Sequence, residues 1–228
     1  MNKLVILTAL HFLSITFTLF LGGWGYRKLD RPLRLLLILF MVMFAVEAYN
    51  LYRLFHHLPN QWLYHVYMLI EFTLLMRIFS YWQTNKNVVK SINIINAAFL
   101  LLCVVNYIWF DVKILILKDG ALHINTSATY NFIPIQVACV FYAAISAYTL
   151  FNLLRQDKGD IMKLPPFWVS AALLVFSSGT IVYFITNQIA RSIGADFIPV
   201  LVAHLIINII VNIIYAIGFW IQMSYIEE

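Results

Sequence analysis

The sequence predicts an all-α integral membrane protein, a bundle of seven transmembrane helices formed by a single domain over residues 1–228. Hydrophobic residues make up 63% of the chain and charged residues 11%, which leaves too little charge for a water-facing exterior. The apolar residues come in seven blocks of about 20, the length that crosses roughly 30 Å of hydrocarbon. The lipid bilayer is therefore the expected partner. We expect no nucleic-acid partner, because the net charge of +5 mainly reflects the loops.

The seven blocks are separated by short connections containing charged or helix-breaking residues, with one exception. The predicted spans are 4–25, 33–56, 61–82, 89–110, 129–153, 167–188 and 197–224. The exception is Asp111 to Asn131, in which two strand-forming runs flank Asp119-Gly120, a dipeptide typical of two-residue hairpin turns. We therefore expect a β-hairpin between the fourth and fifth helices, on the outer side of the membrane.

Lysine and arginine are distributed unevenly between the two predicted sides. Ten lie in or beside the first, third and fifth connections: Arg27, Lys28, Arg31, Arg34, Arg77, Lys86, Lys90, Arg155, Lys158 and Lys163. Five lie on the opposite side: Lys3, Arg53, Lys113, Lys118 and Arg191. Cytoplasmic loops carry the excess of positive charge, so the N-terminus is expected outside and the C-terminus inside, in the plasma (cytoplasmic) membrane.

Polar residues within the spans indicate which helix faces point toward protein, because a charge at the centre of a span costs about 3 kcal/mol. A stripe at helical spacing follows the seventh span: His204, Asn208, Asn212, Tyr215 and Gln222. A second stripe follows the first span: Thr8, His11, Ser14 and Thr18. Most intramembrane polar residues fall in the outer halves of their spans, which predicts a polar pocket that opens to the outside.

The residues expected to bind a small-molecule ligand in this pocket come from four spans. They are Glu47, Asn50, Tyr64, Tyr67, Glu71, Tyr183, Asn187, His204 and Asn208. We expect Glu71 to face Glu47 and His204 across the cavity. The alternative is a structural role, in which such groups join helices through hydrogen bonds of about 1 kcal/mol or less. That alternative is favoured for any single Asn or Ser, whereas the whole set, with two carboxylates, favours function.

A metal site is a second hypothesis for the same region. His11, His65 and His204 lie at comparable predicted depths and, with Glu47 or Glu71, would supply the ligands that zinc requires. They come from different helices and have no local spacing such as H-x-x-x-H. We therefore expect no cofactor, with zinc as the alternative. A zinc ion with an open coordination position would make hydrolysis possible.

One short pattern resembles a known group of proteins. Tyr64-His65-x-Tyr67-x-x-x-Glu71-Phe72, preceded by Glu47 and Asn50, is similar to small uncharacterised bacterial seven-transmembrane-helix proteins, some of which accompany two-component sensor kinases. The resemblance implies a sensing role.

The expected function is a small-ligand sensor or receptor that signals through a separate protein. The alternatives are an intramembrane metal-dependent hydrolase and, third, a small-molecule transporter. Enzymatic activity is left open, with binding favoured over catalysis.

Overall fold

The structure, a computed structural model, describes residues 3–56, 61–109, 115–118, 121–124, 133–155, 160–196 and 198–224. Seven long helices account for most of these residues. They are α1 (Lys3–Trp24), α2 (Arg31–Phe55), α3 (Gln61–Trp82), α4 (Lys86–Trp109), α5 (Ile133–Arg155), α6 (Pro165–Ser192) and α7 (Ile198–Ser224).

All seven helices are long and apolar enough to cross a membrane. Large apolar side chains are exposed along single faces of these helices, for example Leu13, Phe17 and Phe20 on α1 and Ile206, Ile210 and Ile213 on α7. Such stripes are stable in contact with lipid tails and costly in contact with water. The prediction of seven membrane-spanning helices is therefore confirmed, and the chain is a multi-pass membrane protein.

The chain divides into two compact units. The first comprises Met1–Phe40 and Cys139–Glu228, and the second comprises Met41–Ala138. The apolar core of the first unit includes Phe40 of α2, whose ring packs edge-on against Tyr215 and Phe219 of α7, with ring centroids 5.5 and 6.3 Å apart. The expectation of one domain over the whole chain stays a prediction.

Helix α7 contacts both α1 and α6 within the first unit. It runs antiparallel to α6, since Gly179 lies beside Ile207 and Gly218 lies beside Trp168. A Cβ added at Gly179 would lie 2.9 Å from two carbon atoms of Ile207, so glycine permits the close approach of these helices. Helix α7 runs parallel to α1. Residues later in α1 contact residues that are also later in α7.

The connection from α1 to α2 contains a one-turn 3-10 helix (Tyr26–Lys28) and a capped helix start. Asp30 accepts a hydrogen bond from the backbone N–H of Leu33 (3.0 Å), which satisfies a donor that the first turn of α2 leaves unpaired. The side chain of Arg34 donates from Nε to the carbonyl oxygen of Leu29 (2.8 Å). These bonds fix the turn.

Helices α3 and α4 pack together in the second unit. The rings of Phe72 and Phe99 are stacked with centroids 3.8 Å apart, and both side chains are buried. Two short strands also belong to this unit, β1 (Leu115–Lys118) and β2 (Ala121–Ile124). They pair antiparallel, with Leu115 opposite Ile124 and Lys118 opposite Ala121. The predicted Asp119-Gly120 turn lies outside the described residues, and the side of the membrane on which the strands lie stays a prediction.

Candidate functional site

The polar stripe of α7 faces protein. Asn212 and Tyr215 are buried, and His204, Asn208 and Gln222 are partly buried, whereas Ile206, Ile210 and Ile213 on the other faces of the helix are exposed. Lipid offers no hydrogen-bond partners, so polar side chains are retained where protein groups or ligands surround them. The α7 stripe thus marks the interior of the first unit.

One part of the stripe joins α7 to α1 through hydrogen bonds. Asn212 donates from Nδ2 to Ser14 Oγ (2.9 Å), and Ser14 donates to the backbone carbonyl oxygen of His11 (2.6 Å). Thr18 Oγ1 lies 2.9 Å from the backbone carbonyl oxygens of both Asn212 and Ser14. All three side chains are buried. This network has the form of a structural link between two membrane helices.

The second part of the stripe, nearer the start of α7, makes contacts of a different kind. The imidazole of His204 stacks on the ring of Tyr183 from α6, with centroids 4.3 Å apart and an angle of 21° between the ring planes. His11 of α1 lies near His204. Three helices therefore bring aromatic and imidazole groups together at one place.

Several polar atoms around this stack are shielded from solvent and have no hydrogen-bond partner within the described part of the chain. They are Thr180 Oγ1 and Asn187 Oδ1 on α6, and His204 Nδ1 and Asn208 Oδ1 on α7. Thr180 and Asn187 lie on either side of Tyr183 along α6, and Asn208 lies one turn after His204. A buried acceptor without a partner costs about 1–3 kcal/mol.

We call this group of nine residues the α1–α6–α7 cluster. Its members are His11, Ser14, Thr18, Thr180, Tyr183, Asn187, His204, Asn208 and Asn212. It contains neither a carboxylate nor a lysine or arginine, so hydrogen bonding and ring stacking are its available interactions. It holds four of the nine sequence-predicted ligand residues, which are Tyr183, Asn187, His204 and Asn208.

The predicted carboxylates belong to the second unit. Tyr67 lies close to the Glu71 carboxyl, its neighbour one turn along α3. Asn50 lies close to the Glu47 carboxyl on α2. The Asn50 amide is nevertheless buried, and neither its oxygen nor its nitrogen makes a hydrogen bond of good geometry with any described residue. The convergence of Glu47, Glu71 and His204 stays a prediction.

The remaining polar residues of α3 have separate environments. Tyr64 is partly buried, and His65 is fully buried. Arg77 is exposed, and its guanidinium lies 5.0 Å from the centre of the Tyr81 ring. A long cationic side chain that extends beside an aromatic ring near a helix end is typical of the membrane interface.

The zinc hypothesis rests on His11, His65 and His204. Of these, His11 and His204 approach one another in the first unit. Considering only residues that the structure describes, no three His, Cys, Asp or Glu side chains group together in the way a metal site requires. Zinc binding stays a prediction.

Four members of the cluster were absent from the predicted ligand and metal residues. Ser14, Thr18 and Asn212 belong to the polar stripes that the sequence shows, but their role as a link depends on which helices pack together. Thr180 is one turn before Tyr183, a spacing that would have identified it.

No known family model matches the chain, and no curated protein or solved structure shows significant similarity to it. The residues and their geometry are therefore the basis for assigning a function.

Proposed function

We propose that the protein is a multi-pass sensor of the plasma membrane that binds a small polar ligand in the α1–α6–α7 cluster. The observation that carries this proposal is the set of shielded polar atoms without partners around the Tyr183–His204 stack. Such atoms are costly in a membrane protein unless a ligand or bound water satisfies them.

Two asparagines on the same helix support a binding role rather than a structural one. Asn212 is paired with Ser14 and links two helices, whereas Asn208, one turn earlier, has an acceptor atom that no described residue satisfies. The same residue type thus serves as a link at one position and offers free hydrogen-bonding capacity at the next.

The cluster indicates the chemistry of the ligand. Amide and hydroxyl oxygens accept hydrogen bonds, so the ligand would carry N–H or O–H groups. The ring pair of Tyr183 and His204 offers a flat apolar surface beside them. The absence of charged side chains from the cluster favours a neutral ligand, since an ion would need a compensating charge when removed from water. A small amide, nucleobase or sugar has these properties.

The direction of signalling follows from the predicted orientation. With the N-terminus outside, His11 and His204 lie in the outer half of the membrane, so the cluster would receive ligands from outside the cell. The signal would pass to a separate partner protein at the inner surface. The resemblance of the α3 pattern to bacterial proteins that accompany sensor kinases agrees with this arrangement.

The proposal is tested by ligand-induced stabilisation of purified protein. The melting temperature of the wild type would be measured against a panel of neutral amides, nucleobases and sugars. His204→Phe retains ring stacking on Tyr183 but removes the imidazole nitrogens, and Asn208→Leu removes the free acceptor. Ser192→Ala is the control, because Ser192 is exposed and, among the described residues, bonds to Ile189 of its own helix.

We expect at least one compound to stabilise the wild type and Ser192→Ala, with the effect lost in both cluster variants. If the compound stabilised all four proteins equally, it would bind elsewhere, and this result would contradict the proposal.

A metal-dependent hydrolase is the second candidate, favoured by the approach of His11 to His204. Elemental analysis of purified wild type and His204→Ala protein tests it. Stoichiometric zinc in the wild type that is lost in the variant would support the hydrolase, and a metal-free wild type would eliminate it.

Transport is less well supported. Beyond Tyr215, the buried face of α7 consists of Ala216, Gly218 and Phe219 before polar Gln222 is reached. A transport path requires polar groups or water along its length, and this segment of α7 contributes none.

A further inference from the structure

Helix α4 packs against protein along one narrow stripe and exposes much of its remaining surface. Its buried residues follow the spacing of a single helix face, and they are Ile92, Phe99, Cys103 and Asn106. The stacking of Phe99 on Phe72 shows that this stripe faces α3. Large apolar side chains are exposed on the other faces, among them Ile94 (59%), Leu101 (64%) and Val104 (49%). Lipid or another membrane helix therefore covers this surface.

An asparagine interrupts this exposed apolar surface. Beyond its first turn, α4 carries Asn93, Asn96 and Asn106. Asn96 is partly buried and Asn106 is buried, whereas Asn93 is exposed. No hydrogen bond joins the Asn93 side chain to a residue that the structure describes. Asn93 lies seven residues after Lys86, the first residue of α4, which corresponds to a rise of about 10 Å along the helix.

The depth of Asn93 leaves its amide among lipid tails. Lys90, one turn nearer the start of α4, is exposed and has a side chain long enough to reach the headgroups. The asparagine side chain lacks this reach, and lipid tails offer it neither a hydrogen-bond donor nor an acceptor. Polar residues in membrane helices are usually retained where they face other helices or a water-filled cavity. An exposed amide at this depth therefore indicates a surface that another molecule covers.

The chemistry of the amide favours a second copy of the chain as this molecule. Two copies inserted in the same direction form a symmetric dimer whose axis is perpendicular to the membrane, so residues near the axis meet their own counterparts at the same depth. The asparagine side chain carries both a donor and an acceptor group. Two Asn93 side chains can therefore satisfy each other with a reciprocal pair of hydrogen bonds. A single asparagine in an apolar helix face fixes register and oligomeric state in the same way in parallel coiled coils.

The residues beside Asn93 allow two helices to come close together. Ala97 lies one turn after Asn93 and is exposed, and Val104 continues the same face two turns later. Small residues at a contact let membrane helices approach closely enough for hydrogen bonds between them. We call Asn93, Ala97 and Val104 the α4 dimer face.

We propose that the chain forms a symmetric homodimer through the α4 dimer face, in which Asn93 forms hydrogen bonds with Asn93 of the partner subunit. This face belongs to the second unit and contains no member of the α1–α6–α7 cluster. The proposal is therefore independent of the ligand proposed for that cluster.

Cysteine cross-linking in membranes of cells that produce the protein tests the position of the contact. Ala97→Cys places a thiol on the α4 dimer face. Ala98→Cys is the matched control, because Ala98 is also exposed but is turned about 100° around the helix. Cys103 and Cys139 are fully buried and give little background. Mild oxidation should convert Ala97→Cys into a disulfide-linked dimer of the chain much faster than Ala98→Cys.

The contribution of the amide is measured by energy transfer between labelled copies of the purified protein in liposomes at increasing dilution in lipid. Asn93→Leu should lower the association constant about tenfold, or about threefold for each of the two hydrogen bonds. Asn93→Gln keeps a donor and an acceptor and should retain most of the association. Asn87→Leu is the control and should leave association unchanged, because Asn87 is exposed in the first turn of α4, where water is available to it.

Three results would overturn the proposal. The first is a wild type that stays monomeric at every dilution, and the second is association that Asn93→Leu and Asn87→Leu change equally. The third is cross-linking that is as fast at Ala98→Cys as at Ala97→Cys, or that joins Ala97→Cys to a different protein.

Discussion

At the scale of single residues, the hydrogen bonds of each polar side chain distinguish residues with a structural role from residues expected to bind a ligand. Asn212 is satisfied by Ser14, and Asp30 is satisfied by the backbone of Leu33. Thr180 and Asn208 are shielded from solvent, and their side-chain oxygens have no partner in the described ranges. Residues of the first kind should change stability when replaced. Replacing residues of the second kind should impair binding without destabilising the protein.

The link between Asn212 and Ser14 is predicted to couple α1 to α7 energetically. A double-mutant cycle with Asn212→Ala and Ser14→Ala should give a coupling free energy of about 0.6 kcal/mol, and not more than about 1.7 kcal/mol, as for other interhelical hydrogen bonds in membranes. Unfolding in detergent with increasing denaturant measures it.

Thr16→Ala provides the control for this cycle, because the hydrogen bond of Thr16 to described residues goes to the Phe12 carbonyl oxygen of its own helix. Its coupling to Asn212 should be close to zero. A coupling at Ser14 no larger than at Thr16 would show that the bond does not hold the helices together.

Asp30 is predicted to give a pH-dependent contribution to stability. Desolvation by the surrounding protein raises the pKa of its carboxyl group, against the opposing effects of the Leu33 N–H and the charge of Arg34. A raised pKa in the folded state means that the ionised carboxylate lowers stability at neutral pH, and that this loss disappears as the pH falls through the titration of Asp30.

Asp30→Asn keeps a capping oxygen and removes the charge, so it should be as stable as the wild type or more stable at neutral pH. Any difference should diminish as the pH falls through the titration of Asp30, because the wild-type carboxyl then also becomes neutral. Asp30→Ala loses the cap and should be about 1 kcal/mol less stable. Thermal unfolding across this pH range measures both, and a stability advantage of Asp30→Asn that grew at low pH would contradict the assignment.

At the scale of elements, the sequence predicts the helices well and their contacts poorly. The predicted span 4–25 corresponds to α1 at Lys3–Trp24, because about 20 consecutive apolar residues determine a membrane helix without reference to the rest of the chain. The α7 stripe is equally local, since its spacing alone puts His204 and Asn208 on one face. The pairing of Asn212 with Ser14 depends on which helix lies beside α7, and hydrophobicity does not specify that where lipid is as apolar as leucine.

Glycine is a second example of helix contacts that the sequence does not predict. Eight glycines occur in the chain, and the sequence does not distinguish those at a helix contact from those facing lipid. Gly179 faces Ile207 across the α6–α7 contact, whereas Gly23 of α1 faces open space. Both glycines are helical, Gly179 in the middle of α6 and Gly23 in the last turn of α1, and they differ in what their added Cβ would meet.

Gly179→Ala is predicted to destabilise the protein by about 1–3 kcal/mol, because its Cβ would force Ile207 or the helix backbone to move. Gly23→Ala should leave stability unchanged or raise it by up to about 1 kcal/mol, since alanine is the better helix former. Adding Ile207→Ala should restore part of the loss at Gly179. Denaturant unfolding of these variants in one detergent checks the prediction, and equal effects at the two glycines would show that α6 and α7 are not in close contact there.

At the scale of the whole molecule, seven apolar helices make the chain a multi-pass membrane protein, and the distribution of lysine and arginine predicts its orientation. Both native cysteines, Cys103 and Cys139, are fully buried, so they give little background for labelling of introduced cysteines. Exposed positions are present on both predicted sides: Thr84 lies between α3 and α4, and Ser192 ends α6.

Membrane-impermeant maleimide applied to intact cells should label Ser192→Cys and should label Thr84→Cys only after the cells are opened. The unmodified protein, with its two buried cysteines, is the control for both measurements. The reverse pattern would show that the N-terminus lies inside, and the cluster would then receive its ligand from the cytoplasm.

The central claim is that the polar atoms around the Tyr183–His204 stack are retained for a ligand and not for stability. The most direct test is the free energy of unfolding of the dialysed, ligand-free protein with Thr180→Val or Asn208→Leu, and with Asn212→Leu as the structural comparison. Removing an unsatisfied buried acceptor should stabilise the protein by about 1 kcal/mol at Thr180 and at Asn208, whereas Asn212→Leu should destabilise it because Ser14 loses its partner. A loss of stability at Thr180 and Asn208 as large as that at Asn212 would contradict the claim and would make the whole stripe structural.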